Sequence, residues 1–336
     1  MTIKHLVMSG GGPTMLQTLG ALYHLETTDF LKLQDIETIY GTSAGAIIGV
    51  CIALKFDWET INDYIIKRPW QDVFPIKVQN ILDAYTKKGL YDNKNIEKCF
   101  KPLFDAKDIP IDINLIDFYN FTKIELHFFG FEINEYKVED ISYLTHPNLQ
   151  VITAIQMTSA LPVLVTPVCI DGKCYIDGGT TCNYPLKYCI ESGKKPDEIL
   201  GFKNKYSATK NNITDDSTII QFLTSFLYKA VFSLSTDQSQ PEIQNEVICD
   251  VSHLNFDFLK EAVSNSEVRK TLFENGIECS KLFLSKINSQ ENEKDKDEKD
   301  KEEKDKEEKE KEEKDKEKEE KDKEENEKEE KDKEEL

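Results

Sequence analysis

Glu37-Thr38-Ile39-Tyr40-Gly41-Thr42-Ser43-Ala44-Gly45-Ala46-Ile47-Ile48-Gly49-Val50 is the stretch that decides how this chain folds. Glu37–Tyr40 has the composition of a short strand, and Ala44–Leu54 that of an apolar, buried helix. Only Gly41, Thr42 and Ser43 separate them. A turn that sharp brings backbone and side chains close together, and Gly41 and Gly45 supply the clearance. It projects the Ser43 hydroxyl at a helix N-terminus, where unpaired N–H groups and the helix dipole favour developing negative charge. The same residues also fit a helix N-cap serine whose neighbouring glycines serve packing alone.

Upstream, Ile3–Met8 reads as another short apolar strand. It empties into Gly10-Gly11-Gly12, and Thr14–Leu25 follows with Leu16, Leu19, Leu22 and Tyr23 at helical spacing. Strand–turn–helix twice in succession predicts an α/β fold with a mainly parallel sheet covered by helices on both faces. Functional groups then gather at the carboxyl ends of the strands. A run of three glycines exposes N–H groups that can cradle a phosphate or an oxyanion. A dinucleotide fingerprint would need a sixth-position glycine where Met15 stands, and no Walker lysine follows.

Further along, Asp57–Phe104 reads as helical but broken at Pro69, Pro75 and Gly89, and Leu115–Phe131 contains β-rich runs, Ile124–Phe129 among them. A helix is expected near Ala154–Ser159. Leu164–Ile170 and Lys173–Ile176 suggest a hairpin turned at Asp171-Gly172. Across Thr218–Leu234 the residues Ile219, Phe222, Leu223, Phe226 and Ala230 form one helical stripe, read as a core-packing face with a membrane-contacting one as the alternative. A last helical block spans Phe256–Leu284.

Composition divides the chain into a body, residues 1–290, and a tail, residues 291–336. The tail holds 27 acids against 16 lysines, which is −11 of the chain's −20. Without apolar residues it cannot offset its ordering entropy, so disorder or a fluctuating helix is expected there. The acidic balance excludes a nucleic-acid partner and argues against strong docking on anionic lipid. The N-terminus lacks the features of a secretory signal, and no apolar run is long enough to span a membrane. A cytoplasmic protein, working at the periphery of membranes, is therefore expected. The eight cysteines form no CxxC pair or zinc-site spacing. Cys169 and Cys174 could bridge the hairpin, but reduced thiols suit a cytosolic protein better.

Far downstream stands Asp177-Gly178-Gly179, an aspartate at a strand end opening into a glycine turn. On its own it is a turn whose carboxylate bonds local N–H groups. Taken together, the three motifs resemble the patatin-like phospholipases, lipid acyl hydrolases that use a Ser–Asp dyad. Gly10, Gly11 and Gly12 resemble the family's oxyanion loop. Gly41–Gly45 is similar to its GxSxG elbow, with Ser43 as nucleophile. Asp177-Gly178-Gly179 followed by Asn183-Tyr184-Pro185 is similar to its aspartate box. Ser159-Ala160-Leu161-Pro162 and Gly89-Leu90-Tyr91-Asp92 have counterparts there too. One departure stands out: Pro13-Thr14-Met15 occupies the place where the family usually carries a basic residue and a glycine.

The resemblance implies a three-layer α/β/α patatin-like sandwich and a carboxylic-ester hydrolase that needs neither metal nor cofactor. Ser43 and Asp177 would be catalytic, and the substrate a lipid at a membrane surface. Two rivals remain: an α/β-hydrolase triad recruiting His253, and an inactive lipid-binding protein that keeps the fold. An acyl channel is expected from Leu161, Val163-Leu164-Val165 and the helix over Ile219–Leu234.

Overall fold

The computed structural model describes residues 2–75, 78–206, 213–235, 241–251, 255–290 and Lys323. Strand β1 (His5–Met8) leads through the glycine turn to α1 (Met15–Thr27), and β2 (Thr38–Thr42) passes directly into α2 (Ala44–Ala53). Next come α3 (Trp58–Lys67), α4 (Val78–Lys87), β3 (Gly89–Tyr91), α5 (Asn93–Asp105), α6 (Leu115–Thr122), β4 (Glu125–Glu132) and β5 (Lys137–Ile141). They are followed by α7 (Val151–Ser159), β6 (Val163–Val165), β7 (Val168–Ile170), β8 (Lys173–Asp177) and α8 (Leu186–Glu191). The series continues through β9 (Ile199–Tyr206), α9 (Ile219–Ser235), β10 (Glu246–Val251) and α10 (Phe256–Ser264), and residues 266–283 are helical.

The main sheet runs β10-β9-β1-β2-β4-β8-β7, with β5 also paired to β4. Every neighbouring pair from β10 to β4 is parallel, whereas β4 pairs antiparallel with both β8 and β5, and β8 antiparallel with β7. A short parallel pair, β3 with β6, forms a separate ribbon. Helices cover both faces of the mixed, mostly parallel sheet, the α/β architecture expected from the alternating pattern. The central strands β1 and β2 are buried along their whole length. Nine of the ten residues of α2 are buried as well, so this helix is apolar all round and sits inside the layer rather than on it.

Several expectations change. The β-rich run expected within Leu115–Phe131 is strand β4, and Leu115–Thr122 ahead of it is helical. The Asn114 side chain caps it by accepting the Asp117 N–H at 2.8 Å, and Lys123, at φ 61°, ends it. The hairpin of β7 and β8 turns on Asp171 and Gly172, both with positive φ. Across it Cys169 and Cys174 face each other and form a disulfide, so the reduced-thiol expectation does not hold for this pair. Ile219, Phe222 and Phe226 of α9 face outward rather than packing into the core.

The chain divides into two units, Met1–Phe283 and Leu284–Leu336. In the second, residues 284–290 are helical. The remainder of the tail, Lys323 excepted, lies outside the described residues.

Candidate active site

The site is assembled from three strand ends. Thr42, the last residue of β2, pairs with Phe129 of β4, and the next β4 residue, Gly130, pairs with Asp177 at the end of β8. Ser43 and Asp177 thus lie at adjacent levels of one strand, although 134 residues separate them in sequence. The Ser43 hydroxyl donates to Asp177 Oδ2 at 2.6 Å.

Ser43 adopts φ 53°, ψ −120°, a strained conformation for a residue with a side chain. It is held there from several sides. Its N–H donates to Thr158 Oγ1 at 2.9 Å, and that hydroxyl in turn donates to the Phe129 carbonyl at 2.6 Å. Gly45 lets α2 approach β1, since a Cβ there would overlap the Met8 carbonyl oxygen. Gly178 does the same beneath the aspartate, where a Cβ would run into the Phe129 carbonyl.

Asp177 is buried, and its Oδ1 accepts the Gly179 N–H at 2.7 Å. Burial pushes its carboxyl up from the ordinary 3.8 to about 6, against the pull of the Ser43 and Gly179 hydrogen bonds. A carboxylate so placed is a stronger base than one in water and is matched to neutral pH.

The glycine loop lies beside this pair. The Gly10 N–H is committed to the Asn183 carbonyl at 3.1 Å, whereas Gly11 and Gly12 line the cavity described below. Gly12 has φ 55°, a conformation that favours glycine. The Gly10 carbonyl accepts from Asn204 Nδ2 at 2.8 Å, from the Tyr206 hydroxyl at 2.9 Å and from Asn183 Nδ2 at 3.2 Å. In a planar trans peptide the carbonyl of one residue and the N–H of the next point opposite ways. Anchoring the Gly10 oxygen to Asn204 and Tyr206 therefore turns the Gly11 N–H away from β9. Burial raises the Tyr206 phenol pKa, so this group remains a neutral donor.

Thr14 stands where a basic residue was missed in the sequence. Its hydroxyl donates to the Gly11 carbonyl at 3.0 Å and accepts from Asn204 Nδ2 at 3.2 Å. The loop is thus fixed by neutral groups. Asn204, Tyr206 and Thr158 carry no local motif. Only the position of Asn204 and Tyr206 near the carboxyl end of a buried strand could have pointed to them.

Ser43 and Asp177 form part of the wall of a cavity of about 560 Å³. Much of the remaining wall is apolar, including Leu161, Leu164, Val165, Phe100 and Leu103, and α9 adds Thr224, Leu227 and Tyr228. The volume falls within the range usual for small-molecule sites. Of the residues expected to form an acyl channel, Leu161, Leu164 and Val165 are therefore in the wall.

His253, the base of the rival triad, lies outside the described residues. The other histidines are all engaged elsewhere: His5 with Thr38, His24 with Ser280, His127 with Asp140 and Glu125, and His146 with Thr145. Among the described residues no group of three His, Cys, Asp or Glu is arranged to hold a metal ion. No helix among them is long and apolar enough to cross a membrane.

The family model for patatin-like phospholipases matches residues 6–190, from β1 into α8. The chain belongs to the patatin-like phospholipase family. Among relatives of this patatin-like chain is the probable lipid hydrolase 463L of Invertebrate iridescent virus 6. The two are 27% identical over 217 residues, spanning 62% of this chain and 73% of the viral protein. The uncharacterized protein YqhO of Bacillus subtilis is also 27% identical, over 212 residues that span 56% of this chain and 68% of YqhO. The crystal structure of VipD from Legionella pneumophila superimposes with a TM-score of 0.49 at 15% identity, covering 85% of this chain and 67% of VipD.

Proposed function

We propose that this protein is a lipid acyl hydrolase of the phospholipase A type, working through a Ser43–Asp177 dyad and an acyl-enzyme. The reading is carried by one observation: a strained serine hydroxyl donating at 2.6 Å to a buried carboxylate, in the wall of a largely apolar cavity.

Ser43 Oγ attacks the ester carbonyl while its proton passes to Asp177 Oδ2. The oxyanion that forms is held by the N–H groups of Gly11 and Gly12, helped by the N-terminal dipole of α2. Gly10 supports that loop through its own anchored peptide. The tetrahedral intermediate collapses, the leaving alcohol takes the proton from Asp177, and the acyl group stays on Ser43. Water then attacks the acyl-enzyme, giving its proton to Asp177. That proton returns to Ser43 Oγ as the fatty acid leaves. Gly41, Gly45, Gly178 and Gly179 shape the turns that hold the two side chains, and no metal or cofactor enters the cycle. The apolar wall suits an acyl chain, and the name of the viral relative, a probable lipid hydrolase, agrees with that substrate class. In this reading residues 1–290 form the catalytic body of a protein working in the cytoplasm at membrane surfaces. The acidic tail, residues 291–336, takes no part in the chemistry.

The test compares wild type with Ser43→Ala on a short p-nitrophenyl ester and on mixed-lipid vesicles, with the products profiled. Wild type should release free fatty acid and the variant none. Equal turnover by the two would overturn the proposal, and turnover by neither would leave the inactive lipid-binding reading in its place. An Ala substitution at His253 should leave turnover intact, and its abolition in a folded protein would favour the rival triad.

A further inference from the structure

Helix α9 carries large apolar side chains on its outer face. Its buried residues include the polar Thr224 and Ser225, together with Tyr228, whereas Ile219, Phe222 and Phe226 are 67%, 48% and 62% exposed. At about 100° per residue, those three side chains fall in a single stripe. Thr224 and Tyr228, in the wall of the catalytic cavity, lie on roughly the opposite side of the helix. A surface helix of a water-soluble protein normally shows the reverse arrangement. An outward stripe of large apolar side chains on a helix marks a contact surface.

We infer that the Ile219–Phe222–Phe226 stripe is the surface by which this protein docks on a zwitterionic lipid bilayer. The inference deepens the lipid-hydrolase reading and rests on it for the identity of the substrate. Three observations favour lipid over a protein partner. First, the stripe is continuous with the site: one helix, about 10 Å across, separates it from the cavity in which Ser43 stands. Second, α9 contains no acidic residue and one lysine, Lys229, in a chain of net charge −20. Asp257 meets the helix at Gln221, whose Nε2 donates to Asp257 Oδ2 at 3.2 Å. The docking force is therefore hydrophobic, with no polybasic patch on the helix to draw it to anionic lipid. Third, the three exposed side chains among the described residues fall far short of the roughly 20–30 residues a side of a stable protein interface. A few large side chains entering the headgroup boundary give instead a weak, reversible attachment.

The test uses the full chain carrying Ser43→Ala, so that vesicles stay intact, sedimented with phosphatidylcholine vesicles. The parent should bind, with little change on adding phosphatidylserine or raising the salt. Adding Phe222→Glu and Phe226→Glu together should raise the lipid concentration for half-binding about tenfold or more. With Ser43 restored, the same double variant should turn over a soluble short ester within about twofold of wild type, which also reports that it is folded. Phe226→Trp provides a second measure that perturbs the stripe little: its emission should shift to the blue on adding vesicles and be quenched by brominated lipid.

Parent binding that survives both glutamates undiminished would overturn the inference, as would an unshifted emission from the Phe226→Trp variant. Binding only to anionic vesicles, lost in salt, would also overturn it. So would a dimer that the glutamates split without affecting vesicle binding, since the stripe would then be a self-interface. Failure of the hydrolase reading would appear separately, as the absence of ester turnover by wild type, whatever the vesicles show.

Discussion

Replacing Asp177 by Asn should abolish turnover and yet make the folded protein more stable at neutral pH. The carboxyl is buried with two hydrogen-bond donors, Ser43 Oγ and the Gly179 N–H, and no cation among the described residues is hydrogen-bonded to it. Burial carries its pKa from 3.8 to about 6, and a displacement of that size corresponds to about 3 kcal/mol lost by the fold on ionisation. The sign follows from the direction. A group whose pKa is raised by folding lends stability while protonated, below about pH 4, and that stability is lost as the pH rises through about 6. Asn carries no charge at either extreme. Its Oδ1 can still accept the Gly179 N–H, and its amide can donate to Ser43 Oγ. The variant should therefore gain about 1–3 kcal/mol at pH 7.5, a rise of several degrees in Tm, and nothing near pH 4. Urea melts of both proteins at pH 4, 6 and 7.5, run beside a p-nitrophenyl ester assay, measure this. A variant less stable than wild type at pH 7.5, or a difference that ignores pH, would refute the claim that Asp177 is ionised against its surroundings.

The same carboxyl sets a pH profile: kcat on a soluble ester should fall about tenfold per pH unit below about 6 and level off above it, a limb that a stopped assay across pH 4.5–8 would reveal. Tyr206→Phe removes one donor from the Gly10 carbonyl without changing the shape of the side chain; kcat should drop about tenfold with KM within about twofold. An unchanged kcat there would mean that the other two donors hold the loop unaided. Gly45→Ala forces a methyl against the Met8 carbonyl, so the urea midpoint should fall by the equivalent of about 1–3 kcal/mol.

Elements whose signal is local could be read from the sequence. Strand β1, the glycine turn and α1 lie within residues 5–27, and β2 with α2 within residues 38–53, so periodicity and glycine placement sufficed. The Leu115–Thr122 run is apolar and aromatic, a composition that fits strand or helix, and its deciding signal was the single cap at Asn114. Helix α9 was foreseen but its orientation was not: a 3.6-residue pattern identifies which side chains share a face, not what that face meets. The groups around Gly10 were beyond reach for another reason. Asn204 and Tyr206 arrive from about 195 positions away through the pairing of β9 with β1, and nothing in either residue's neighbourhood announces that pairing.

Strand β4 acts as a ruler for the whole site. Its parallel edge measures off Ser43 through Thr42↔Phe129, and its antiparallel partner measures off Asp177 through Gly130. A slip of one residue on either side would turn one of the two groups to the opposite face. The Ser43 elbow leaves the ribosome 134 residues ahead of Asp177. In the proposed mechanism the dyad is therefore incomplete until the second hairpin closes.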